Sequence, residues 1–292
     1  MRRHGRVLAY VSGAAIGIFA ISVGYLLSQE ADLVFYGGVG DTLKLPVLAE
    51  AVPEPWDTIR VETRDSVHIL LLEARQGADD SVPWVVFFYG AGQHLADASS
   101  RARYEILRSL GVNVLAVEYR GYGGSEQVQP SERGLYEDGR TAWAYLTETR
   151  RVSPRRIVLF GYSLGTGVAI ELATEVHPGG LITQGTYTSL PDVAAVWYPW
   201  IPPVVLRHMM STSFANLAKA TSVDSPWLLI HGRLDEEVPI DQAERIVKTK
   251  GGPRRLVTIE SGHTDMEVVA RDAMTAAIAG FLNDLGWRER VR

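Results

Sequence analysis

Short apolar runs of strand length alternate along most of the chain with longer amphipathic stretches. Trp84–Tyr89, Val112–Val117, Arg156–Phe160, Leu181–Thr183, Pro226–His231 and Leu256–Ile259 are rich in β-branched, leucine or aromatic residues, and turn residues bound them. Between them lie helical patterns at Asp97–Leu110, Glu132–Glu148 and Thr166–Val176. Runs that are apolar at every position, separated by helices, predict a mostly parallel sheet covered on both faces, an α/β fold. Ahead of them, Thr58–Glu62 and Val67–Ala74 flank Arg64-Asp65-Ser66 and predict a hairpin. One segment breaks the alternation. Residues 189–224 form an insertion holding Trp197-Tyr198-Pro199-Trp200-Ile201-Pro202-Pro203.

The amino terminus has a different pattern. Arg2, Arg3 and Arg6 precede Val7–Leu27, which carries no charge, and Glu30 closes the run. Twenty-one helical residues reach about 31 Å, the thickness of a bilayer core. A single-pass transmembrane anchor over residues 1–30 is therefore expected. The basic flank stays in the cytoplasm and the domain lies on the other side. A cleaved signal peptide is the competing reading, although no Ala-x-Ala precedes Glu30, and a buried or peripheral helix is the third. Residues 31–57, broken by Gly37-Gly38, Gly40, Pro46, Pro53 and Pro55, read as a tether, and residues 58–292 as one domain.

Composition narrows the chemistry. An apolar share of 46% and a charged share of 22% fit a globular domain, and a net charge of −5 offers no basic face to nucleic acid. The chain has no cysteine, which removes thiol nucleophiles, disulfides and thiolate metal sites. Its seven histidines form no His-x-x-x-His or His-x-His pair, so no metal and no cofactor is expected.

Chemistry concentrates at Gly161-Tyr162-Ser163-Leu164-Gly165, between a predicted strand and a predicted helix. Flanking glycines permit the tight turn that pushes a serine hydroxyl outward, and the Leu164 N–H at the helix start can bind an oxyanion. Serine needs a base, and the base needs an acid to fix its tautomer. Downstream, Asp235 follows the strand ending at His231, and His263 follows the strand ending at Ile259. Ser163, Asp235 and His263 thus lie in the chain order of a triad on an α/β sheet. Glu236 is an adjacent alternative to Asp235. The loop Gly90-Ala91-Gly92-Gln93-His94 offers the second oxyanion N–H, Ala91 first and Gly92 second.

With these residues in view, the chain resembles α/β-hydrolase-domain serine hydrolases, in the branch of serine aminopeptidase-like proteins, membrane-tethered lysophospholipases and depalmitoylases. Glu118-Tyr119-Arg120-Gly121-Tyr122-Gly123-Gly124-Ser125, Pro130-Ser131-Glu132, Gly161–Gly165, His231–Asp235 with Val238-Pro239, and Gly262-His263 carry the likeness. The resemblance spans about Ile59–Leu285. It implies Ser163 as nucleophile, Asp235 as orienting acid and His263 as base. It also makes residues 189–224 a small cap, whose rings, Trp197 and Trp200 among them, either contact substrate or cover the domain. One departure stands out, since the family's His-Gly-Asn-Ala-Gly loop is Tyr89-Gly90-Ala91-Gly92 here. The expected activity is hydrolysis of an ester or thioester with an acyl chain or lipid-like substrate. The alternatives are an aminopeptidase, with Glu118, Glu236 or Glu237 binding the ammonium, and a non-catalytic tethered binding module.

Overall fold

The computed structural model describes residues 17–38, 56–76 and 82–287. Among them, eight strands form one sheet in the order β1-β2-β4-β3-β5-β6-β7-β8. These are β1 (Trp56–Glu62), β2 (His68–Ala74), β3 (Trp84–Phe88), β4 (Asn113–Glu118), β5 (Ile157–Tyr162), β6 (Gly180–Gln184), β7 (Trp227–Gly232) and β8 (Arg254–Ile259). β1 and β2 form the expected antiparallel hairpin, in register Trp56↔Ala74 to Glu62↔His68, and β2 runs antiparallel to β4. From β4 through β8 every pairing is parallel. β3, β4, β5, β6 and β7 are buried at every position, as strands covered on both faces must be.

The helices are α1 (residues 17–28), α2 (Glu30–Val34), α3 (Ala98–Ser109), α4 (Glu132–Ala144), α5 (Leu164–Val176), α6 (Leu190–Trp197), α7 (Pro203–Met209), α8 (Asn216–Ala220), α9 (Asp241–Val247), α10 (Met266–Val269) and α11 (Arg271–Asp284). Right-handed crossovers determine which face each helix covers. The chain steps one way from β3 to β4, then reverses to place β5 on the other side of β3. That reversal puts α3 on the face opposite α4 and α5, and α11 returns to pack on α3. It also opens a crevice between the carboxyl ends of β3 and β5, where open α/β sheets hold their ligands. Helix α4 continues into a π-helical turn, Tyr145–Thr149.

The amino-terminal segment departs from the expected anchor and tether. Residues 7–16 of the apolar run and 39–55 of the tether lie outside the described residues. Among the described residues no helix is long and apolar enough to cross a membrane. Residues 31–34, expected to be irregular, are helical in α2, and Phe35 is buried in the core. Tertiary contacts override the local glycine signal here, because Glu30 binds the loop after α7 and Tyr36 packs on Gly92.

Candidate active site

β5 ends at Tyr162 and α5 begins at Leu164, so Ser163 alone makes the turn. Its backbone sits at φ 49° and ψ −119°, a sparsely populated region costing on the order of 1–3 kcal/mol. Hydrogen bonds hold it there: Ser163 N–H donates to the Gln184 carbonyl, and its own carbonyl accepts from Thr166 N–H, both at 2.9 Å. The glycines two residues either side are sterically required. A Cβ on Gly165 would sit inside van der Waals contact of the Phe88 carbonyl, and one on Gly161 would meet the Gly165 carbonyl. Both obstacles are backbone and cannot swing away. Gly165→Ala is accordingly expected to lower stability by about 1–3 kcal/mol or more, read from the midpoint of denaturant unfolding.

The structure brings the other two predicted residues to this turn. His263 Nε2 lies 2.8 Å from Ser163 Oγ, and its Nδ1 lies 2.7 Å from Asp235 Oδ2. With Nδ1–H donating to the carboxylate, Nε2 is left free to accept the serine proton. The second carboxylate oxygen of Asp235 accepts the N–H groups of Glu237 (3.1 Å) and Val238 (2.8 Å), so the acid is fixed on both sides. Glu236 is exposed. His231 is buried behind this group and its Nε2–H donates to the Val238 carbonyl at 2.8 Å. Burial pushes His231 below the ordinary histidine range, so it stays an uncharged spacer beside Asp235.

A buried brace lies beneath the turn that the sequence did not reveal. The Tyr162 hydroxyl donates to the His263 carbonyl at 3.2 Å. The Arg103 guanidinium stacks on the Tyr162 ring, 3.8 Å from its centroid. Arg103 also donates to Gln184 Oε1 (3.0 Å) and pairs with Glu267 at 3.0 Å, with both partners fully buried. Arg103 and Glu267 stand 164 positions apart, so no local pattern could join them. Removing one partner strands a buried charge. Glu267→Ala should cost about 3–5 kcal/mol, measured by urea unfolding followed by tryptophan fluorescence.

A cavity of about 460 Å³ opens over Ser163 and His263. That volume lies in the range that encloses a drug-sized ligand. Leu164 and Ala91 both line it beside Ser163, as an oxyanion hole requires, whereas Gly92 does not. The Ala91 loop is shaped by Gln93, whose Oε1 accepts Gly90 N–H at 3.2 Å. His94 turns away to Asp97. The cap contributes Trp197, Ile201 and Met210 to the wall. Trp200, expected beside Trp197, is not in the wall. It lies three residues on, after α6 has ended, and meets Phe19 edge-on at 6.0 Å. Tyr36 and Glu237 face the cavity, and burial together with the Glu237 charge raises the Tyr36 hydroxyl above its ordinary value. Of the other carboxylates considered for an ammonium, Glu118 is buried against the Tyr89 hydroxyl, and neither it nor Glu236 reaches the cavity. Among the described residues no His, Asp or Glu cluster is arranged to hold a metal ion.

The model of the prolyl oligopeptidase family matches residues 98–283, which include the serine turn, the acid and the histidine. The chain belongs to this family of α/β hydrolases. Relatives similar over nearly the full length include an uncharacterized protein of Mycobacterium tuberculosis, 34% identical over 95% of this chain and 94% of its own. Protein bem46 of Schizosaccharomyces pombe is 28% identical over 96% and 95%. Among solved structures, the esterase Pf2001 of Pyrococcus furiosus superposes with a TM-score of 0.65 at 20% identity, covering 79% of this chain and 92% of that one. Est1E of Butyrivibrio proteoclasticus, solved with ferulic acid, gives 0.66 at 18% identity over 79% and 100%. At these identities the structural likeness establishes the α/β-hydrolase fold.

Proposed function

We propose that the protein is a serine hydrolase that cleaves a carboxylic ester or thioester carrying an acyl chain. The observation that carries this reading is the relay Ser163–His263–Asp235, at 2.8 and 2.7 Å, opening into an apolar cavity. His263 takes the proton of Ser163 as its oxygen attacks the acyl carbon. The N–H groups of Leu164 and Ala91 receive the oxyanion. His263 then protonates the departing alkoxide or thiolate, leaving an acyl-serine. Water, deprotonated by the same imidazole, attacks that ester, and the acid is released with Ser163 regenerated. A fluorophosphonate probe should label Ser163 stoichiometrically, and a panel of acyl esters should yield free acid. Absence of both would return the protein to the class of tethered binding modules.

An aminopeptidase reading draws on the family and on Glu237, the one carboxylate of the three candidates that lines the cavity. The predominantly apolar lining favours the acyl substrate instead. A buried methylene contributes about 0.8 kcal/mol, so two carbons enclosed by the wall change kcat/KM by roughly tenfold. Octanoate esters are therefore expected to be preferred over acetate, and aminoacyl amides to release no amine.

The flank of Arg2, Arg3 and Arg6 and the apolar residues that follow it support an amino-terminal membrane anchor with the domain on the non-cytoplasmic side, the anchor ending where Val23 packs on the cap. A carboxy-terminal reporter active only after export should light up. Activity confined to the cytoplasm would reverse the orientation, and a shortened soluble product would indicate signal cleavage.

A further inference from the structure

Helix α1 presents apolar residues on two faces. Ile18, Ile21 and Tyr25 point outward and are more than half exposed. Val23, Leu26 and Leu27 point toward the cap, and Val23 is sealed against Ile201 and Leu206. The stripe continues through Glu30 to Val34 at helical spacing, and all five residues line the cavity above Ser163. The wall that Trp200 was expected to supply is supplied by this segment.

Glu30 holds the stripe in place. Its carboxylate is 8% exposed and accepts three hydrogen bonds from the loop that follows α7. They come from Ser211 N–H at 3.0 Å, the Ser211 hydroxyl at 3.1 Å and Thr212 N–H at 2.6 Å. A carboxylate among apolar side chains is stable only when its oxygens are satisfied, and here two backbone N–H groups and one hydroxyl of the cap satisfy them. Cap and amino-terminal segment are thereby joined across the cavity.

We propose that residues 17–34 form the acyl-chain wall of the active site, clasped to the cap by Glu30, and that they set selectivity for acyl chains of about eight carbons or more. This proposal rests on reading the protein as an acyl hydrolase. It makes Val23, Leu26, Leu27 and Val34 specificity determinants, although they lie at least 129 residues before the nucleophile. Glu30 is a positioning residue.

The absence of cysteine allows a direct test on the full-length protein in detergent. The thiols of Leu27→Cys and, separately, Val34→Cys are converted with hexyl methanethiosulfonate to a hexyl mixed disulfide, with methanesulfinate leaving. The octanoate-to-acetate ratio of kcat/KM is compared in the same sample before modification, after it, and after reduction. Filling the wall should lower the ratio about tenfold, and reduction should restore it. A dodecyl fluorophosphonate on Ser163 should slow modification of the introduced thiol at least about fivefold relative to an ethyl one. Glu30→Gln should lower the ratio by raising KM for octanoate more than it changes kcat. Unchanged ratios with fully modified thiols, and equal modification rates behind short and long probes, would overturn the proposal while leaving the hydrolase intact. A wild-type protein that neither labels nor hydrolyses any ester removes the hydrolase reading, and this proposal with it.

Discussion

Ser163→Ala is expected to lower kcat for ester hydrolysis by about 10⁶-fold and to abolish fluorophosphonate labelling. Among the described residues, the Ser163 hydroxyl is the one placed against His263 Nε2, and its loss leaves the imidazole with nothing to activate in the first step. Stability should change little. The strained turn is held by backbone hydrogen bonds to Gln184 and Thr166, which alanine keeps. Circular dichroism and the unfolding midpoint serve as the folding control. His263→Ala should be nearly as damaging, and the double variant no worse than either, because the residues act as one unit. Wild-type turnover in Ser163→Ala would falsify the nucleophile assignment.

Asp235→Asn should reduce kcat by up to about 10⁴ while leaving the fold in place. The amide oxygen can still accept from Val238 N–H, so its NH₂ is turned toward His263 Nδ1. Two donors then face each other unless the imidazole moves its proton to Nε2, where it can no longer accept from Ser163. Ester hydrolysis followed across pH at fixed ionic strength gives the comparison. Glu236→Gln is the matched control. That side chain is exposed, and loss comparable to Asp235→Asn there would mean the acid had been misassigned.

What could be read from the sequence follows from how locally each feature is encoded. Ser163, Asp235 and His263 each follow a strand within four residues, so their chain order placed them at one end of the sheet. The strands were legible to within a residue or two, and α3 was legible from its amphipathic pattern. The placement of Trp197 and Trp200 was not. Which ring faces the cavity depends on where α6 stops, and Pro199 and Pro202 mark the break without giving its direction. Arg103 with Glu267 was invisible for a different reason, since a pair formed across 164 positions leaves no periodic trace. The helical segment Glu30–Val34 did carry a signal. Glu30 and Val34 extend the spacing of Val23, Leu26 and Leu27, but a charge that closes an apolar run reads equally as the end of an anchor, and only the contacts with Ser211 and Thr212 distinguish the two.

The clasp between Glu30 and Ser211 spans 181 positions, which bears on how the chain is made. Glu30 leaves the ribosome well before Ser211 and receives its partner only after α7 has been synthesised. At roughly 5–20 residues per second, that interval lasts about 10–35 seconds. During it, Val23, Leu26 and Leu27 have no protein surface to cover them, while the preceding residues Val7–Ser22 are equally apolar. Chains halted before Ser211 should therefore bind chaperones through this stripe, and chains that include the completed cap should not.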